Sequence, residues 1–473
     1  MKARMAWLPT VAAAAVLALA MASACAQSDT TQPGQDTGAQ PSQNPGAQSN
    51  PGQAAGGQNS ANESDMAIPP TVSGATFPIS FATAERSNFL GIGLMGGVSY
   101  VTNVFLGEGV TPVNDELYSV WPSVTLETTN ERWRENFTYS PGFQSYQHAT
   151  ALNQISHNAT AAVSYQFGPH STLSLHDLFL KTSNAFSQPY SLTTGTVSGS
   201  PGTPAALVIA PYANQISNDA GGLFSHQFSR KEMFGVGGGA SQLDYPDRSQ
   251  AAGLFNSNSY NGNAFFDLRM STRQYVGVTA NYFHITEYPT TGADDTQTSA
   301  AMPFYAFYLR RNIIFAASGG PQYYEAAFPP ALPVRGWKPT ILASIHAATV
   351  RTVFSISYQR SVTAGGGLLG AFTTDSGGAD LRVQLGHDWI VDCRGTYANY
   401  QTLVPLPFLL EESGHTLSGA ASLSHHLTEH LSAEVGYDYL HQNYAAIPVV
   451  ANAPDSQRVY GTMEYQLRRP LGR

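Results

Sequence analysis

The sequence predicts an all-β fold, an antiparallel transmembrane β-barrel of about 18 strands preceded by a disordered linker. Three observations carry that expectation. The 473-residue chain is 12% charged and 11% aromatic, whereas a soluble domain is about a quarter charged. From Phe89 onward, long segments alternate apolar and polar residues, the period of a strand whose two faces meet unlike surroundings. Short polar turns recur about every 39 residues, separated by longer Gly/Pro/Asn/Ser-rich connections, and that asymmetry marks membrane barrels.

Composition excludes several classes. The formal net charge is −9, and no basic stripe interrupts it, so nucleic acid is not expected as a partner. Two cysteines cannot form a disulfide framework for so long a chain.

The first 26 residues read as a signal peptide. Lys2 and Arg4 supply the positive start, Val11 to Met21 the apolar run, and Ala24-Cys25-Ala26 a small-x-small cleavage site. Ala22-Ser23-Ala24-Cys25 half-resembles a lipoprotein box, so lipidation of Cys25 stays open. A cut after Ala26 leaves one thiol, Cys393, expected to act as an inert small apolar residue. Residues 27–85 form the linker. Its Gln/Pro/Gly/Ser-rich part repeats Asn44-Pro45-Gly46-Ala47-Gln48 as Asn50-Pro51-Gly52-Gln53 and has nothing to bury. No later segment is long and apolar enough for a spanning helix, so insertion by residues 86–473 must use strands.

Along the barrel, Trp133, Phe137 and Tyr139 oppose Arg134, Asn136 and Thr138, with Glu135 breaking the apolar side. Val163, Tyr165 and Phe167 oppose Ser164 and Gln166, and Val276, Val278, Ala280 and Tyr282 oppose Gly277, Thr279 and Asn281. Phe354, Ile356 and Tyr358 alternate with Ser355, Ser357 and Gln359, and Leu381, Val383 and Leu385 with Asp380, Arg382 and Gln384. Leu431, Ala433, Val435, Tyr437 and Tyr439 alternate with Ser432, Glu434, Gly436 and Asp438. The clearest run is Val459, Gly461, Met463, Tyr465 and Leu467 against Tyr460, Thr462, Glu464 and Gln466. Turns are expected near Asn130, Pro169, Lys231, Thr272, Arg311, Val350, Trp389 and Glu429. Long loops are expected at Ser187–Asn218, Tyr245–Ser259, Tyr288–Thr296, Phe328–Gly336, Ala364–Gly378, Thr402–Gly414 and Tyr444–Ser456. The first hairpin, with its glycines and Pro122, is the weakest, and without it the count falls to about 16. A propeller also repeats every 40–50 residues or so, but each blade needs four short strands where this sequence has two long ones.

Tyr139, Phe143, Tyr146, Tyr282, Phe283, Tyr288, Tyr323, Tyr324, Tyr397 and Tyr400 lie near expected strand ends, as residues of interfacial girdles do. Gly235-Val236-Gly237-Gly238-Gly239 lacks the Lys and Ser/Thr of a phosphate loop. His415, His425, His426, His430 and His441 come from different strand ends and turns, with no ligand set visible in their spacing. No nucleophile–base–acid set stands out either, so no enzyme, cofactor or metal is expected.

The segment from Tyr118-Ser119-Val120-Trp121-Pro122-Ser123 through Arg132-Trp133-Arg134, Tyr139-Ser140-Pro141-Gly142 and Asn153-Gln154-Ile155-Ser156-His157-Asn158 to Thr172-Leu173-Ser174-Leu175 resembles the superfamily of outer-membrane β-barrel porins. The resemblance implies a bacterial outer-membrane barrel and brings no catalytic residue. The sequence departs from the usual barrel terminus, because Tyr465-Gln466-Leu467 is followed by Arg468-Arg469-Pro470-Leu471-Gly472-Arg473.

Alternation points Arg134, Asn136, Asp267, Arg269, Arg382, Gln384, Asp392, Arg394, Glu434, Asp438 and Glu464 toward the lumen. Charges there bias ion passage if the lumen is open, or pair across strands and fill it. The loop Ser187–Asn218 is the one expected to fold inward and narrow the pore, or else to lie as a plain surface loop. These features suit an outer-membrane porin-type channel for passive diffusion of small hydrophilic solutes, with both termini periplasmic. The expected partners are outer-membrane lipid, the outer-membrane assembly machinery and the solutes, with homo-oligomers common in the resembled family. The alternative is a non-conducting barrel acting as a scaffold or as an envelope or polysaccharide export component.

Overall fold

The computed structural model describes residues 88–104, 113–182, 214–247, 254–289, 292–329, 332–364, 370–403, 413–444 and 453–471. The expected signal peptide, the linker and Cys25 lie outside the described residues, as do 187–213 of the expected inward loop.

Eighteen antiparallel strands form one sheet. In chain order they are β1 (Phe89–Val101), β2 (Asp115–Thr129), β3 (Trp133–Tyr146), β4 (Gln154–Gly168), β5 (Ser171–Thr182) and β6 (Gln215–Gln227). Next come β7 (Glu232–Asp244), β8 (Asn256–Arg269), β9 (Gln274–Tyr288), β10 (Asp294–Arg310), β11 (Ile313–Ala327) and β12 (Val334–Ala348). The last six are β13 (Thr352–Ala364), β14 (Ala371–Leu385), β15 (Trp389–Thr402), β16 (Gly414–His426), β17 (Leu431–Tyr444) and β18 (Ala453–Pro470). Each strand pairs with its neighbours in sequence, and β1 also pairs with β18 from Phe89↔Pro470 to Val101↔Arg458. That last pairing closes the barrel and leaves no free edge.

Short turns at 130–132, 169–170, 228–231, 270–273, 311–312, 349–351, 386–388 and 427–430 occupy one rim, together with the start of β1 and the end of β18. One turn differs from expectation: Trp389 opens β15 rather than sitting in the turn. Gly386, at φ 72°, takes the left-handed conformation that closes the turn earlier. The Trp389 ring then stacks on His425 at 4.1 Å.

The strands run 12 to 18 residues, and several begin inside the expected loops. β6 starts at Gln215, β8 at Asn256, β10 at Asp294, β12 at Val334, β14 at Ala371 and β18 at Ala453. Polar residues near the rim do not end these strands, because the backbone ladder continues through them. β18 likewise continues through the C-terminal arginines, with Arg469 opposite Leu90 and Arg468 opposite Gly91. The Arg468 guanidinium lies 5.2 Å from the Phe89 ring centre. The first hairpin is present despite Pro122. The β2–β3 ladder is interrupted between Val120↔Phe143 and Val124↔Tyr139, where proline offers no N–H. Ser140 Oγ donates to the Pro122 carbonyl at 3.2 Å.

The two faces separate cleanly. Ile92, Leu94, Val98 and Tyr100 of β1, Val278 and Tyr282 of β9, and Val459, Met463, Tyr465 and Leu467 of β18 are exposed. Between them Ser99, Val101, Thr279, Phe283 and Ser456 are buried. On a closed wall the inner side chains converge and cover one another while the outer ones splay apart. Most exposed apolar groups therefore face outward, as contact with lipid requires, Leu178 of β5 being an exception on the inner face. Near the short-turn rim the outer face carries a run of rings: Trp133–Tyr165 at 5.6 Å, Tyr165–Phe167 at 4.8 Å and Phe167–Phe224 at 6.4 Å. Of the aromatics expected in girdles, Tyr146, Phe283, Tyr324 and Tyr400 instead face inward and are buried. Neighbours such as Tyr282 and Phe283 must point to opposite faces, so both cannot meet lipid.

Candidate functional site: the inner wall of the barrel

All eleven residues expected in the lumen stand on the face opposite the exposed apolar residues of their strands. Their surroundings differ sharply around the barrel.

On β14–β18 the charges pair across strands. Asp380 is the register partner of Arg394 and Arg382 that of Asp392, with Arg382 Nε 3.9 Å from Asp392 Oδ1. Ser355 Oγ donates to Asp380 at 3.3 Å. On the next strands Asp438 lies opposite Arg458, whose Nε donates to it at 2.7 Å. The Tyr460 hydroxyl donates to Glu434 at 2.8 Å. Tyr460 reaches that far because its ring lies over Gly436, where a Cβ would collide with it. Glu464 stands half-buried between Met95 and Ser432. Gln384 donates to the His387 carbonyl at 3.3 Å, so it serves the short turn. Asp380, Arg458 and Tyr460 complete this ladder and were absent from the expected set. Arg458 falls just beyond an expected loop, and its partnership with Asp438 depends on register, which alternation alone does not fix.

Arg134 and Asn136 lie half-buried on β3, where Asn136 Oδ1 accepts from Thr138 at 3.5 Å. Asp267 and Arg269 lie in a different setting. Here Leu223, Met233, Phe265, Tyr275, Phe304, Ala306, Tyr308 and Ala316 of β6–β11 form a buried apolar cluster near the short-turn rim. Asp267 is fully buried between register partners Met233 and Gly277, and neither of its carboxylate oxygens has a hydrogen-bond partner among the described residues. Arg269 turns away to the rim, its Nε donating to the Ser271 carbonyl at 3.3 Å.

At the opposite rim the β13–β14 hairpin folds inward. Pairing of β13 with β12 stops at Arg360↔Ile341. Beyond it, Val362 exchanges two hydrogen bonds with the Gln322 side chain of β11: Val362 N donates at 2.8 Å and Gln322 Nε2 donates to the Val362 carbonyl at 3.0 Å. Gly370, at φ 116°, donates its N–H to Glu287 of β9 at 3.0 Å. Ala371 packs with Ala326 and Phe328. Among the described residues this hairpin, and not the start of β6 at Gln215–Asn218, reaches into the mouth.

Cys393 is a free, half-buried thiol on the outer face of β15. Among the described residues no three His, Cys, Asp or Glu side chains gather around a common point. His415 and His441, which come from different strand ends, are brought within hydrogen-bonding distance by the β16–β17 register.

No protein-family model matches this sequence, and no curated protein matches it. Solved structures that it resembles at low overall similarity include the following. The FrpB iron transporter from Neisseria meningitidis (F5-1 variant) aligns at 10% identity over 76% of this chain and 64% of that one, with a TM-score of 0.42. The ferric citrate transporter FecA in its unliganded form aligns at 10% identity over 80% of this chain and 64% of that one, with a TM-score of 0.43. OccK2 from Pseudomonas aeruginosa in complex with glucuronate aligns at 10% identity over 80% of this chain and 98% of that one, with a TM-score of 0.40. The match thus spans less than two thirds of each iron transporter's length.

Proposed function

We propose that the protein is a channel of the bacterial outer membrane for passive diffusion of small hydrophilic solutes, with both termini on the periplasmic side. The observation that carries this reading is the charge ladder of β14–β18 on the inner face of a closed barrel. Paired charges of both signs keep that wall wet and give a passing solute donors and acceptors along its path. Facing lipid, the arginines would each cost about 2–4 kcal/mol near the midplane, and the acids less. In this reading the infolded β13–β14 hairpin narrows the mouth on one side, and solutes pass between it and the ladder.

The test is single-channel recording of the refolded mature chain in a planar bilayer. Stepwise openings with a defined reversal potential under a salt gradient are the expected result. Silence from protein shown to be folded in the bilayer would contradict the channel and favour a non-conducting scaffold.

A further inference from the structure

The geometry points to a zinc-class metal site on the outer surface of the long-loop rim, formed by His415 of β16 and His441 of β17 and oriented by Asp455 of β18. His441 lies opposite Leu417 in the register, so His415 is its diagonal neighbour on the same face. The Nε2 atoms of the two rings are 3.3 Å apart. Two nitrogens bound about 2.0–2.1 Å from a tetrahedral zinc stand about 3.3 Å from each other.

The second observation concerns the other side of the His441 ring. Its Nδ1 lies 2.7 Å from Asp455 Oδ1. That contact places the proton on Nδ1 and leaves the Nε2 lone pair aimed at His415, the carboxylate–histidine arrangement that orients metal ligands. The Tyr397 ring, 6.2 Å from that of His415, limits how far His415 swings away. Without metal a single proton bridges the two Nε2 atoms. With metal, His415 takes the other tautomer, its proton moving from Nε2 to Nδ1 by exchange with water, so that both Nε2 lone pairs bind and water completes the coordination shell.

The pair is reachable from solution, since the His441 side chain is 31% exposed and that of Asp455 50%. Other histidines that meet an acid, such as His284 beside Asp295 or His148 beside Asp115, have no second imidazole facing them among the described residues. A bound ion would tie three adjacent strands together at the rim.

The test is calorimetric titration of the untagged, refolded full chain in detergent with zinc, and with cobalt as a spectroscopic probe. One zinc per chain, unaffected by excess magnesium, and the visible bands of tetrahedral cobalt are expected. His415→Gln and His441→Gln should each weaken binding at least tenfold. Asp455→Asn should weaken it about 10–100-fold while keeping the stoichiometry. Heat-modifiable gel migration confirms that each variant is folded, and His415→Asn replaces His415→Gln if the latter does not fold. Absence of saturable zinc uptake by the folded chain, or equal uptake by the His415→Gln/His441→Gln double variant, would overturn the proposal.

Discussion

The inner wall over β14–β18 and the inner wall over β6–β11 are built from the same alternating strands, yet they solve opposite problems. The first satisfies its charges pairwise, the partly exposed Arg382 with Asp392 and Arg458 with the buried Asp438. The second packs Phe265, Tyr275, Phe304 and Tyr308 against one another and buries Asp267 with no hydrogen-bond partner among the described residues. Period-two alternation says which face a residue takes. What that face does depends on whether neighbouring inward side chains are charged and splayed or aromatic and packed.

The two walls should respond differently to substitution. The largest effect is expected on the apolar wall, where Phe265→Ala empties a site that is 2% exposed. It should lower stability by about 3–5 kcal/mol, read by denaturant unfolding of the refolded barrel, with ion selectivity unchanged. Next is Gln322→Ala, which strips the Val362 N–H and carbonyl of their side-chain partner. Two buried backbone groups left bare cost about 1–3 kcal/mol each, so the hairpin should loosen. Single-channel conductance should rise, and unchanged conductance would remove the hairpin from the path.

On the charged wall, Arg458→Ala leaves Asp438 without the guanidinium. Truncating Arg458 uncovers the buried Asp438 to lumen water, so the loss should be about 1–2 kcal/mol rather than that of a dry buried pair, while the reversal potential should move toward cation preference. The smallest effect belongs to Gly436→Ala. Displacing the Tyr460 ring breaks its hydrogen bond to Glu434 at a cost of about 1 kcal/mol, visible as a small drop in the unfolding midpoint.

Much of this architecture was legible from sequence. Seven of the eight expected turns from Asn130 to Glu429 follow from the recurring period, Trp389 lying in β15 instead. Strand ends were less legible, because polar residues near the rim do not interrupt the backbone ladder. There the outer face carries Glu325 paired with Arg335 at 2.7 Å and Asp375 beside Arg360 at 3.4 Å. The infolded hairpin was not legible at all. It depends on Gln322 meeting Val362 forty residues later, and neither residue type signals that contact. The His415–His441 pairing was hidden for the same reason, since it needs the register and not the spacing. Buried Tyr324 and Tyr400 show a further limit, in that an aromatic near a strand end satisfies an inner packing site as well as an interfacial one.

The central claim is that solute passes along the inner charge ladder. The most direct measurement is the reversal potential across a tenfold salt gradient for the native chain, for Arg382→Ala/Arg394→Ala, and for Arg335→Ala on the outer face. The account predicts a clear shift toward cation preference in the inner double variant and none in the outer one. Equal reversal potentials for all three would contradict it.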